Sequence, residues 1–182
     1  MGTLFYLSTV GQLHPSADAW PGCFQGGAGF DTVIPPWWSV KLPNIEQAQV
    51  TADAALHAAA EAARGAAYAP YSHFQVGAAL LCEDGTIIPG CNVENASYGA
   101  TICAERNAVA AAVTRGHRRF TAIAIAGPPG IALGPCGMCR QVLSEFAPGG
   151  ALRVLTRAAD GSPRSTTIAA LLPDAFGPAD LR

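Results

Sequence analysis

The chain has 182 residues, half of them hydrophobic and only 13% charged. That is enough for one ordinary domain with a sizeable core plus a tail. The net charge is −2, and ten scattered arginines with a lone Lys41 form no basic stripe for a phosphate backbone, which excludes a nucleic-acid partner and admits a small neutral substrate.

Residues 1–47 are rich in Gly, Pro and Trp, carry few charges and show no sustained period. They are expected to be a disordered tail, or upstream sequence included by a wrong start site. The alternative, a partner-binding segment, rests on the cluster Pro35-Pro36-Trp37-Trp38. The start of the chain lacks the cationic head of a secretory signal, and no apolar run approaches the ~20 residues of a membrane-spanning helix. A cytoplasmic protein with no membrane partner is expected, and with it six cysteines that are not joined in disulfides.

Order is expected from near Thr51, within a domain spanning 48–182. Leu56, Ala59, Ala60 and Ala63 follow helical spacing, and Thr51 with Asp53 suits a helix start. Val76–Cys82 reads as a strand ended by the turn Asp84-Gly85, with Thr86–Asn92 returning. Pro89 inside the return strand places it at a sheet edge or a bulge. Cys103–Thr114 reads as a helix, Thr121–Ala126 as a strand, Cys136–Phe146 as a helix, Leu152–Thr156 as a strand and Thr167–Leu172 as a short helix. That order implies an α/β fold, a sheet with helices on its faces.

Chemistry concentrates in Cys103-Ala104-Glu105 and Pro135-Cys136-Gly137-Met138-Cys139, each opening a predicted helix. Cys136 and Cys139, three apart, share one helical face. With Cys103 they make three thiolate ligands, the number a catalytic zinc site uses while keeping a fourth position for water. Helix starts stabilise thiolates through their free N–H groups and partial positive charge. Three thiolates on Zn²⁺ leave a net −1 cluster, which Arg106 or Arg140 can offset. Glu105 is placed to move protons as a general acid/base if the cap geometry carries it to the metal. A Cys-Gly-Met-Cys helix start alone also suits a redox pair, and a metal-bearing module without catalysis stays open at this point.

Five ordered blocks then carry a resemblance: Tyr71–Leu80, Gly90–Tyr98, Cys103–Arg106, Pro135–Leu143 and Leu172–Leu181. Together they resemble the small, three-cysteine, homotetrameric cytidine deaminases, over the chain from about residue 51 to its end. The resemblance implies a three-layer fold, a central mixed sheet with helices on both faces. It also implies hydrolytic deamination of cytidine and deoxycytidine in pyrimidine salvage, one Zn²⁺ per subunit, and a homotetramer with shared active sites. Cys103, Cys136 and Cys139 match the zinc ligands and Glu105 the proton shuttle, with Arg106 behind the ligands. Phe74 matches the aromatic against the pyrimidine ring. Asn92 and Glu94 match the pair on the ribose 3′-hydroxyl. Ala96, Tyr98 and Phe176 match residues that complete a neighbour's site. Asn-Val-Glu-Asn favours a nucleoside sugar over the related blasticidin-type enzymes. Gln75, Gly134 and Asn107 depart from residues common in the family, and none of them is a proposed ligand.

Overall fold

A computed structural model describes residues 45–181; the extension and its Pro35–Trp38 cluster lie outside the described residues. Helix α1 spans Ile45–Arg64, a stretch free of Gly and Pro that ends at Gly65. Its core contacts are Leu56 and Ala60, one turn apart on the same face. The helix starts six residues ahead of Thr51. The pair read as a start signal is engaged inside the helix instead. Thr51 Oγ1 donates to Gln47 O, and Asp53 takes two 2.8 Å hydrogen bonds from Arg153 and a third from Gln49.

The sheet comprises β1 (Gly77–Cys82), β2 (Ile87–Cys91), β3 (Phe120–Ala126), β4 (Arg153–Arg157) and β5 (Pro163–Thr167), in the order β2-β1-β3-β4-β5. Only the β3–β4 pair is parallel, which makes the sheet mixed. The β1–β2 turn is where Asp84-Gly85 announced it: Gly85 has φ 87° and Asp84 Oδ1 accepts Thr86 N–H. Strand β2 is an edge, so Pro89 loses no ladder bond there. Strand β5 forms the other edge and was not expected, because Pro163–Thr167 is polar and outward-facing. The overlooked signal was Asp160-Gly161, whose glycine takes φ 84° in a second hairpin turn.

Period-two alternation splits the core into two layers. Ala78, Leu80, Cys82, Ile123 and Ile125 face α2 (Ala104–Thr114) and α3 (Gly137–Glu145). Ala79, Ala122, Ala124 and Ala126 face Leu56 and Ala60 of α1. Helices therefore cover both faces, the three-layer arrangement that the resemblance implied. The α1 side is lined largely by alanine, so that helix lies close to the sheet. Two glycines fix the closest approaches. A Cβ on Gly77 would overlap Ala60 O and Arg64 N, and one on Gly90 would lie 2.5 Å from both Ala104 O and Ala108 N. The second approach seats the first turn of α2, where the chemistry-bearing residues are. The short α4 (Ile168–Leu171) is capped by Thr167 Oγ1.

Candidate metal centre and catalytic site

Cys103 and Cys136 are the N-cap residues of α2 and α3, both with extended backbone, and neither makes a side-chain capping bond. Their sulfurs are therefore free to meet in the space between the two helix starts, 3.9 Å apart. Cys139, fully buried in the first turn of α3, adds a third sulfur, and all three lie within 4.8 Å of one another. This spacing is close to that of thiolates around one tetrahedral cation, whose Zn–S bonds are about 2.3 Å. The fit to zinc is chemical as well as geometric: soft donors, no fourth protein ligand in the cluster among the described residues, and helix N-termini behind two of the three.

The cluster holds its protons unevenly. A hydrogen bond from the Cys139 thiol, with Arg106 assisting, holds Cys103 well below the usual thiol range despite burial. The same bond and burial push Cys139 up. A divalent cation drives off the remaining protons, because a coordinating thiol is deprotonated outright. Of the two arginines that follow the ligand segments, Arg106 takes the offsetting position: one guanidinium nitrogen lies 3.6 Å from Cys103 Sγ and donates to Thr101 O. Arg140 turns away to brace Pro135 O and Leu171 O.

Glu105, second residue of α2, is only 5% exposed and interacts with Cys139 and Cys103. Its carboxyl lies in the buried first turn of α2, two residues after Cys103. Burial pushes that carboxyl above the ordinary glutamate range, and the charge on Cys103 adds to the rise.

The Asn92–Glu94 segment runs beside the cluster because Val93 pairs with Ile102 through both backbone bonds, one residue before Cys103. Asn92 Oδ1 accepts Val76 N–H and its Nδ2 donates to Phe74 O. Glu94 Oε2 accepts the N–H groups of Tyr71 and Ser72, while Oε1 accepts the Ser72 hydroxyl. Both side chains thereby hold the loop that carries half-buried Phe74. Tyr98 sets its ring edge-on against that of Tyr71, centroids 6.1 Å apart, whereas Ala96 and Phe176 are not drawn into this group. Ala96 is exposed, Tyr98 is 77% exposed and Phe176 59%. The backbone of Phe176 is tied to α3 by Gln141.

Sequence reasoning missed the residues that hold others in place. Ser72 orders Glu94, Gln141 anchors the Phe176 segment, and Asn107 donates to Cys91 O at 2.8 Å, pinning the end of β2 to α2. Asn107 was visible only as a departure from the family, with no sign of what it touches.

Residues 50–152 match the family model for the cytidine and deoxycytidylate deaminase zinc-binding region. The chain belongs to this family. Among related deaminases, the cytidine deaminase of Sporosarcina psychrophila is 49% identical over 126 residues, which cover 69% of this chain and 92% of the relative. The cytidine deaminase of Mycobacterium tuberculosis is 49% identical over 123 residues, 68% of this chain and 87% of the relative. The 1.6 Å crystal structure of cytidine deaminase from Burkholderia pseudomallei superposes with a TM-score of 0.64 at 50% identity, covering 68% of this chain and 98% of that one. The matched stretch holds strands β1–β3 and helices α2 and α3, so both helix starts that bear cysteines fall within it. No helix among the described residues is long and apolar enough to cross a membrane.

Proposed function

We propose that the protein is a zinc-dependent cytidine deaminase. It hydrolyses cytidine and deoxycytidine to uridine and deoxyuridine with release of ammonia and serves pyrimidine salvage in the cytoplasm. The observation that carries the reading is three cysteine sulfurs within 4.8 Å of one another, with the buried Glu105 two residues after the first of them. The catalytic domain is assigned to residues 48–182, with the extension 1–47 outside it.

Cys103, Cys136 and Cys139 hold one Zn²⁺ per subunit. When bound, the ion supplies Lewis-acid activation of a water at neutral pH. Glu105 carries the protons. Its carboxylate accepts one from the attacking water, delivers it to N3 of the pyrimidine, and serves again at the departing 4-amino nitrogen. Burial raises its pKa, the direction that suits a group holding a proton between two transfers. Arg106 offsets the thiolate charge at Cys103.

Phe74 provides the flat wall for the base. Asn92 and Glu94 receive the sugar, and hydrogen-bond counting supports this pairing. Asn92 Nδ2 carries two N–H groups, one given to Phe74 O. Glu94 has about four acceptor sites, three of them taken by Tyr71 and Ser72. Among the described residues this leaves one donor and one acceptor two positions apart in sequence, the complement of a single hydroxyl. Ala96, Tyr98 and Phe176 complete the site of a neighbouring subunit in a homotetramer. The exposure of Tyr98 and Phe176 leaves both rings accessible to a neighbouring chain.

The test is a coupled measurement of zinc content and uridine formation. Glu105→Gln is expected to keep zinc and lose activity by about 10²-fold or more. Cys139→Ala is expected to lose both. Near-normal turnover by Glu105→Gln refutes the assignment.

A further inference from the structure

At the far end of α2 lies a second group of metal-ligating side chains that the deaminase chemistry leaves unused. Cys82 closes β1, Asp84 sits in the β1–β2 turn, and His117 follows the C-terminus of α2. One ligand atom from each, a thiol sulfur, a carboxylate oxygen and a ring nitrogen, lies within 4.8 Å of the other two. With 11 residues in α2, roughly 16 Å of helix separates this group from Cys103. It is therefore a separate cluster and not an extension of the first.

Each ligand is fixed by its backbone. Cys82 N–H donates to Thr86 O and Gly85 N–H to Cys82 O, which locks the turn. Asp84 Oδ1 is held by Thr86 N–H, and this aims Oδ2 at His117 Nδ1, 3.5 Å away. His117 N–H is anchored to Ala112 O, just after Gly116 has turned the chain with φ 92°. The 3.5 Å gap is too long for a strong hydrogen bond. It is a suitable separation for two donors on one cation, whose bonds of about 2.0 to 2.2 Å place adjacent ligands well over 3 Å apart. Cys82, 2% exposed, forms the buried floor, and the exposed carboxylate leaves an entry from solvent.

We propose that Cys82, Asp84 and His117 form a second, non-catalytic zinc site. One soft sulfur, one imidazole and one carboxylate is a donor set that borderline Zn²⁺ accepts, with water in the fourth position. Binding forms Zn–S, Zn–N and Zn–O bonds and releases the Cys82 thiol proton to solvent; no electron changes hands. Burial and the Asp84 charge raise the Cys82 pKa, and the cation reverses the second of these effects. The nearby cations lie to the side: Arg119 pairs with Glu83, and Arg118 donates to the Val113 and His117 carbonyls. The bound ion would staple the β1–β2 hairpin to the end of α2, and affinity for the folded state alone would raise its stability.

The experiment is a zinc titration of the holoenzyme with its first equivalent already bound, read by calorimetry and by thermal unfolding. Cobalt(II) added in parallel reports a one-thiolate charge-transfer band. The wild type is expected to take up one further equivalent with a rise in Tm, and His117→Gln and Asp84→Asn to lose both responses while keeping wild-type cytidine turnover. Neither residue belongs to the buried core, Asp84 being exposed and His117 partly so, so their variants stay informative even if Cys82→Ala fails to fold. Absence of a second equivalent in the wild type overturns the proposal, as does uptake that persists unchanged in His117→Gln.

Discussion

Glu94 spends most of its carboxylate on the chain around it, and this sets its chemistry. The Ser72 hydroxyl and the Tyr71 and Ser72 N–H groups hold its pKa below the ordinary glutamate range, so it is an acceptor at any neutral pH. Ser72 is the positioning residue in this arrangement. Ser72→Ala is expected to raise KM for cytidine about five- to tenfold, the worth of roughly one hydrogen bond, with kcat little changed. Steady-state kinetics on the purified enzyme check this, and an equal loss in kcat counts against it. The clustering of Cys103, Cys136 and Cys139 was legible in sequence because these residues come as short local patterns. Ser72, Asn107 and Gln141 were not, because each acts through a bond to a residue brought near only by the fold: Glu94, Cys91 and Phe176 lie 22, 16 and 35 positions away.

At the scale of the elements, α1 is tied to β4 by the two-pronged Asp53–Arg153 pair, both side chains about 30% exposed. A hydrogen bond from Arg153 is the largest cause of a lowered Asp53 pKa. A carboxylate whose folded pKa is depressed stabilises the protein above its unfolded value, and loses that contribution as pH falls through the folded one. Asp53→Asn is therefore expected to cost about 1 kcal/mol at neutral pH. The difference from wild type should shrink to nothing as the pH is taken well below 3.8. Urea unfolding of both proteins across that range is the measurement, and a difference independent of pH rejects the ion-pair origin. Most elements were readable from period and turn chemistry. The start of α1 and strand β5 were not, for related reasons. Thr51 and Asp53 carry cap chemistry but are used within and between elements. Pro163–Thr167 has no apolar alternation because an edge strand with an outward face needs little of it.

For the whole molecule, the shared-site reading makes a quantitative demand. The assembly is expected to run at about four times the 18.6 kDa of one chain. Because Glu105 and Phe176 would then serve different active sites, Glu105→Gln and Phe176→Ala chains are each expected to be impaired. After mixing and reassembly they should recover part of the activity, since some sites receive both intact residues. Recovery is read as uridine formation against the unmixed proteins, and no gain on mixing argues that each chain builds its site alone.

The two helix starts that carry Cys103 and Cys136 lack side-chain capping bonds, which leaves their first-turn amides dependent on what the sulfurs do. A cation that fixes the sulfurs fixes both helix starts at once, so chelation should loosen more than the metal centre. Amide hydrogen exchange is expected to quicken at Glu105–Asn107 and Met138–Arg140 when zinc is stripped, while Ile123–Ile125 in the middle of the sheet keep their protection. The metal would then act as a clasp on local breathing as well as a reagent, and the enzyme's tolerance of zinc starvation would be set by how fast two helix ends unravel.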